Sequence, residues 1–185
     1  MSSFPPFQAG GTAVITGAAD GIGLAAAQRF AGFGLNVVMA DRDAEKLEKA
    51  AVNVAAAANG GRVLAQPTDV SDVDEVARLR DAAFAQFGRV SVLMNNAGIQ
   101  PGSSVLDTEG TWARVIDVNM WGIIRSAQMF APGMIASGAP GLPPAPRAQG
   151  LCLLNNRHKT TRVLAQRTII GHRVLIACAF VTVCT

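Results

Sequence analysis

The 185-residue sequence has no tyrosine, three cysteines, two histidines and only 5% aromatic residues. The missing phenol removes tyrosine as a proton donor from any chemistry assigned to this chain. Cys152, Cys178 and Cys184 lack the paired spacing of a disulfide framework and are expected as reduced, structural thiols. No metal site is expected either, because Cys152, His158 and His172 match no helix or hairpin ligand spacing. No uncharged apolar run approaches the roughly 20 residues that cross a bilayer. The longest near the end, "VLIACAFVTVC" at 174–184, reads as a buried strand, and no membrane partner is expected. The opening "MSSFPPFQAGG" has no basic cluster followed by an apolar core, so neither signal nor transit peptide is read there and a cytoplasmic location is the expectation. With half its residues apolar and 16% charged, the chain has the composition of one globular domain with a sizeable core.

Acidic residues are missing from the whole last third. Asp117 is the last acid in the chain. Residues 1–141 hold all 13 acids and 10 of the 16 bases, a net of −3, whereas 142–185 hold six bases and no acid, a net of +6. The overall charge of +3 therefore belongs to the tail, and a nucleic-acid partner is not expected of the domain before it. The junction "SGAPGLPPAPRAQG", 137–150, is rich in Pro, Gly and Ala and suits neither a helix nor a central strand. The division is thus 1–141 as a domain and 142–185 as a divergent basic tail, in which "GLCLLN" and "RVLIACAFVTV" could each supply a strand.

Before the junction, apolar and β-branched runs alternate with segments of helical periodicity. "TAVIT", "LNVVMA", "RVLAQP" and "VSVLM" read as strands, and "IGLAAAQRFAGF", "DAEKLEKAAVNVAAAA" and "DVDEVARLRDAAFAQF" as helices between them. Strands this apolar are covered on both faces, which predicts a doubly wound parallel α/β sheet with right-handed crossovers. Ser71 is the expected N-cap of the third helix, with an acid three residues on to complete a capping box. Asn59-Gly60-Gly61 ends the second helix with residues that tolerate positive φ.

The first strand-to-helix turn is "TGAADGIG", Thr16 to Gly23. In a doubly wound sheet that turn faces a ligand at the carboxyl ends of the strands. Gly17 suits a tight turn, Gly21 lets the backbone approach a pyrophosphate, and Gly23 lets the helix pack closely. The freed N–H groups and the positive helix end then hold the anion. Asp41 follows the second strand, 20 residues after Gly21, where a carboxylate accepts the two ribose hydroxyls of an adenosine and repels a 2′-phosphate. Arg42 beside it would accommodate that phosphate, and a solvated loop acid is the alternative for Asp41.

"TGAADGIG", Asp41, the "DV" of Asp69 and Val70, "NNAG" at Asn95 to Gly98 and "VNMWG" at Val118 to Gly122 occur in the order and spacing of a known family. Over roughly residues 10–141 the chain resembles the short-chain dehydrogenase/reductases. The resemblance implies a Rossmann-type single domain, a nicotinamide dinucleotide, and hydride transfer between that cofactor and a small alcohol or carbonyl substrate, with homo-oligomers known among such proteins. It implies that Gly17, Gly21, Ile22 and Gly23 meet the pyrophosphate, Asp41 the adenosine ribose, and Asp69 and Val70 the adenine. Asn95, Ala97 and Gly98 would line the cofactor cleft. Asp20 stands where members using the phosphorylated cofactor often carry a base, so NAD is expected over NADP. Asn119 matches the asparagine that supports the family's proton relay; an asparagine bonding backbone within a helix would fit the same position.

The resemblance ends at the catalytic segment. The family's tyrosine, lysine and serine have no counterparts here: the tail offers His158 and Lys159, but no Tyr-x-x-x-Lys. The charge break, the proline-rich junction and this loss coincide, as a truncation, altered splicing or a frame change near Gly141 would produce. Two functions follow as expectations, an alcohol/carbonyl oxidoreductase or a dinucleotide-binding chain impaired in turnover. A methyltransferase with a similar first turn is disfavoured by "NNAG" and "VNMWG".

Overall fold

The computed structural model describes residues 9–100, 106 and 108–137. The strands read at 142–185, the three cysteines, and His158 and Lys159 lie outside the described residues. Four parallel strands, β1 (Thr12–Thr16), β2 (Asn36–Asp41), β3 (Val63–Pro67) and β4 (Val92–Met94), form a sheet of order β3-β2-β1-β4. The connecting helices are α1 (Gly21–Gly32), α2 (Ala44–Ala56) and α3 (Val73–Phe87). Each strand and helix expected between residues 12 and 94 is present within a residue or two of its sequence boundaries.

Alternation along the strands builds the two layers. Ile15, Val37 and Met39 point to one face, where they pack with Ala27 and Ala31 of α1 and Leu47, Ala50 and Val54 of α2. Val14, Val38, Ala40 and Leu93 point to the other, against Leu79 and Ala83 of α3 and Phe130 and Met134 of the helix at Gly122–Ser137. The central β1 is buried along its whole length, as a strand covered on both sides must be. Going from β1 to β3 the chain winds outward in one direction, and from β3 it crosses back to place β4 on the other side of β1. That reversal opens a crevice at the carboxyl ends of β1 and β4.

After β4 the chain enters one long helical stretch that the sequence reading did not assign. It consists of α4 (Glu109–Ile116), a π-turn (Asp117–Trp121) and α5 (Gly122–Ser137). The end of α5 coincides with the start of the proline-rich junction.

One cap differs from expectation. Asp72, not Ser71, caps α3, its carboxylate accepting from the N–H groups of Asp74 and Glu75. A charged acceptor at the positive end of the helix outcompetes a hydroxyl. Ser71 instead donates its N–H and hydroxyl to Asp69, at 2.9 and 2.6 Å. Glu75 reaches past the cap to the N–H of Asp69 at 2.6 Å. Gly60 takes the positive φ expected after α2, at +85°. Among the described residues no helix is long and apolar enough to cross a membrane.

Candidate functional site: a dinucleotide cleft

The carboxyl ends of the four strands surround a cleft of about 1140 Å³. Its floor is the turn after β1. Gly17 sits at φ +66° and Gly21 at φ +56°, both in the left-handed region that favours glycine. Gly17 also lies against the loop after β4: a Cβ on it would stand 2.8 Å from Cα of Ala97. At Gly21 a Cβ would meet nothing within 4 Å and would project into open space. Gly23, in the first turn of α1, is buried under the loop, where a Cβ would come within 2.1 Å of the Gly17 carbonyl oxygen. The three glycines therefore serve different needs, a turn, an open approach and a close packing.

Two polar ties hold this turn to its neighbours. Thr16 Oγ1, buried, accepts from the N–H groups of Asn96 and Ala97, both at 3.1 Å. Asn96 Nδ2 donates to the carbonyls of Thr16 and Gly17 at 3.1 and 3.0 Å. The loop after β4 is thereby fixed on the glycine turn, with Asn96, Ala97 and Gly98 on the cleft wall. Asn95, by contrast, is buried below the wall, its side-chain oxygen and nitrogen without hydrogen-bond partners among the described residues.

The acids sit at the ends of β2 and β3. Asp41 accepts from the Ala19 N–H at 3.1 Å through one oxygen and from the Asp43 N–H at 3.2 Å through the other, so it braces the glycine turn from the side. Each oxygen retains lone-pair capacity for a hydroxyl donor. Arg42 lies beside it on the wall. Asp69 is desolvated by burial, which alone would raise its pKa. The hydrogen bonds from Ser71 and the positive charges of Arg42 and Arg114 outweigh that and hold the carboxyl below its ordinary value. Val70, next to it, is buried against Val76 and Val118 and borders the cleft.

Asp20 caps α1, accepting from the Gly21 N–H at 2.7 Å, and pairs with Lys46 of α2 at 2.7 Å. The Lys46 hydrogen bond, then that of Gly21, lowers the Asp20 pKa, and Asp20 raises that of Lys46. Ile22 is partly exposed on the same rim. Asn119 stands in the π-turn and clamps the backbone of Ile99, accepting from its N–H and donating to its carbonyl, each at 2.8 Å. It thus bonds the backbone of a segment 20 residues away.

Gly17, Asp20, Gly21, Ile22, Asp41, Arg42, Asp69, Val70, Ala97 and Gly98 all line this cleft; Gly23, Asn95 and Asn119 are not among its lining residues. Thr16, Asn96 and Lys46 were missed from the sequence. Asn96 lies within the quoted "NNAG", but nothing in one sequence says which asparagine turns outward, and Lys46 reads as one more solvated helical base. The residues present fit a dinucleotide: the open side of Gly21 leaves the backbone uncovered for a pyrophosphate, and Asp41 stands at the second strand's end for a ribose. Among the described residues no group of three or more His, Cys, Asp or Glu is placed to hold a metal ion.

Known proteins share this arrangement. The family model described as short chain dehydrogenase matches residues 11–141. The chain is 40% identical over 131 residues to a 1-deoxy-11-beta-hydroxypentalenate dehydrogenase of Streptomyces exfoliatus, covering 69% of this chain and 47% of that protein. It is 38% identical over 123 residues to a meso-2,3-butanediol dehydrogenase of Serratia marcescens, covering 66% and 47%. Among solved structures it is similar to a short chain dehydrogenase/reductase of Burkholderia phymatum in complex with NAD, with a TM-score of 0.66, 38% identity, and 71% and 46% of the two chains covered. A metagenomic short-chain oxidoreductase in complex with NADP matches with a TM-score of 0.66, 35% identity and coverages of 71% and 59%. The chain thus spans about half the length of the curated relatives it matches. With the family model matched over residues 11–141, about seven tenths of its length, the chain belongs to the short-chain dehydrogenase/reductase family.

Proposed function

We propose that this chain binds a nicotinamide dinucleotide in the cleft at the carboxyl ends of β1 to β4, NAD in preference to NADP, and that its protein acts as an oxidoreductase on a small alcohol or carbonyl compound. The observation that carries this is the convergence of the glycine turn, open at Gly21, with Asp41 and Asp69 in one cleft. The bound dinucleotide would supply or accept the hydride. The chain's own residues bind and orient: the uncovered backbone at Gly21 lets the pyrophosphate approach the positive N-terminal end of α1, Asp41 accepts from the adenosine ribose, and Asp69 faces the adenine. Asn119 holds the Ile99 backbone, and with it the wall leading away from β4.

The preference for NAD rests on charge at the second strand's end. A 2′-phosphate placed at Asp41 would meet a carboxylate that is already held by two backbone N–H groups and has little freedom to move aside. Arg42 and Lys46 offset part of that repulsion. Titrating NADH and NADPH by fluorescence tests the reading, with tighter NADH binding expected and the gap narrowed in Asp41→Ala. Equal affinities in the unaltered chain would refute the role given to Asp41.

A further inference from the structure

The π-turn ties down two separate parts of the cleft. Asn119 clamps Ile99 on one side, while Asp117 pairs at 2.7 Å with Arg125, whose Nη1 also donates to the Ser71 carbonyl at 2.9 Å. Ser71 in turn gives both its N–H and its hydroxyl to Asp69. The π geometry makes the ion pair feasible. Eight residues of straight α-helix would leave Asp117 and Arg125 about 80° apart around the axis. One wider turn of about 4.4 residues followed by an ordinary one brings them back to the same face.

The same loop is docked at two more points. A Cβ on Gly122 would lie 2.8 Å from Cγ2 of Val70, so the start of α5 rests against that side chain. Val118 of the π-turn packs with Val70 and Val76.

Resting on the dinucleotide reading above, we infer that Arg125 is a positioning residue for the adenosine end of the cleft. From the helix that carries Asn119 it pins the Asp69–Ser71 loop, so affinity for an adenine nucleotide depends on a guanidinium that does not itself line the cleft. The pin is three-quarters shielded from solvent and joins a charged donor to a backbone carbonyl, a bond whose loss weakens what it holds by about tenfold. Glycine at 122 is the second half of the device, since any side chain there would push Val70 toward the cleft.

Calorimetric titration of the full chain with AMP and with inorganic pyrophosphate separates the adenine loop from the glycine turn. Arg125→Met is expected to weaken AMP by about tenfold and to leave pyrophosphate unchanged, with Arg125→Lys between the two. Gly122→Ala, acting on the same loop from the Val70 side, is expected to give the same selective loss. AMP affinity unchanged in both Arg125→Met and Gly122→Ala overturns the inference, as does an equal fall for both ligands, which marks a merely structural role. An unaltered chain that binds neither AMP nor NADH overturns the dinucleotide reading and this inference together; a chain that binds both, with variants no different from it, overturns this inference alone.

Discussion

Gly21 and Gly23 stand two residues apart in the same turn, yet alanine at the two positions is expected to fail in different ways. At Gly23 the new Cβ would lie 2.1 Å from the Gly17 carbonyl oxygen and 2.6 Å from Asn96 Nδ2, both inside any tolerable contact. The first obstacle is backbone in a turn held by Thr16 and Asn96, so α1 must move away by close to an ångström. Helix propensity alone would favour alanine by up to about 1 kcal/mol. Overpacking of this kind costs typically 1–3 kcal/mol, more where backbone must shift, so the clash wins. A net loss of about 2 kcal/mol in a unit of this size lowers the melting temperature by roughly 5–10 °C. At Gly21 the Cβ meets no atom, and the cost is the positive φ alone, about 1 kcal/mol. That methyl would occupy the space through which a pyrophosphate approaches the backbone. Gly21→Ala is therefore expected to melt within about 5 °C of the unaltered chain and to lose NADH binding, while Gly23→Ala loses both stability and binding. Thermal unfolding followed by circular dichroism, with NADH titration by fluorescence, reads both effects. A Gly23→Ala chain that melts normally, or a Gly21→Ala chain that binds NADH unchanged, would refute the assignment of packing to one glycine and approach to the other.

Three more outcomes are expected. Thr16→Val leaves the N–H groups of Asn96 and Ala97 without their acceptor and should cost about 1–3 kcal/mol, whereas Thr16→Ser, which loses one methyl, should cost about 1 kcal/mol or less; urea midpoints distinguish the two, and equal losses would show that packing rather than the hydroxyl matters. Because the folded-state pKa of Asp69 is depressed, its contribution is fully present above the unfolded value of about 3.9 and disappears as pH falls through the lower folded value. Stability measured from pH 6 down to 2 should therefore fall less steeply below about pH 4 in Asp69→Asn, and an unchanged slope would remove Asp69 from the account. Finally, a positioned proton donor is worth roughly 10²–10⁴ in rate. Without a tyrosine the 185-residue chain is expected to reduce ketones with NADH at about one hundredth of the rate of an intact relative, or less. Robust turnover across a ketone panel would show that another group gives the proton, with His158→Ala the first variant to assay.

Local periodicity and glycine placement in the sequence determine β1 to β4, α1 to α3 and the turn between Thr16 and Gly23. Apolar runs of strand length cannot be satisfied except between two helical layers, and a trio of glycines between strand and helix has few other uses. The acids at the strand ends follow from the same logic, since their places depend only on where each strand stops. The motifs beyond β4 were legible as family resemblance but not as structure. The pattern around "VNMWG" gives no hint that the helix widens there, because a π-turn is chosen by what its side chains reach, here Ile99 and Arg125. Ser71 lost its expected capping role to Asp72, whose carboxylate is the stronger acceptor for the N–H groups at the helix start, and its hydroxyl turns to Asp69 instead. The two asparagines of "NNAG" are chemically identical in sequence, and only the packing of β4 beside β1 decides that Asn96 faces the glycine turn while Asn95 is buried. The pairing of Asp20 with Lys46 spans 26 residues and arises from the approach of α1 to α2 over the sheet. Short-range steric and hydrophobic preferences thus settle which elements form and where a ligand can enter. The selection among equivalent polar side chains waits for the fold, since a hydrogen bond is decided by which partners within about 3 Å the tertiary structure brings.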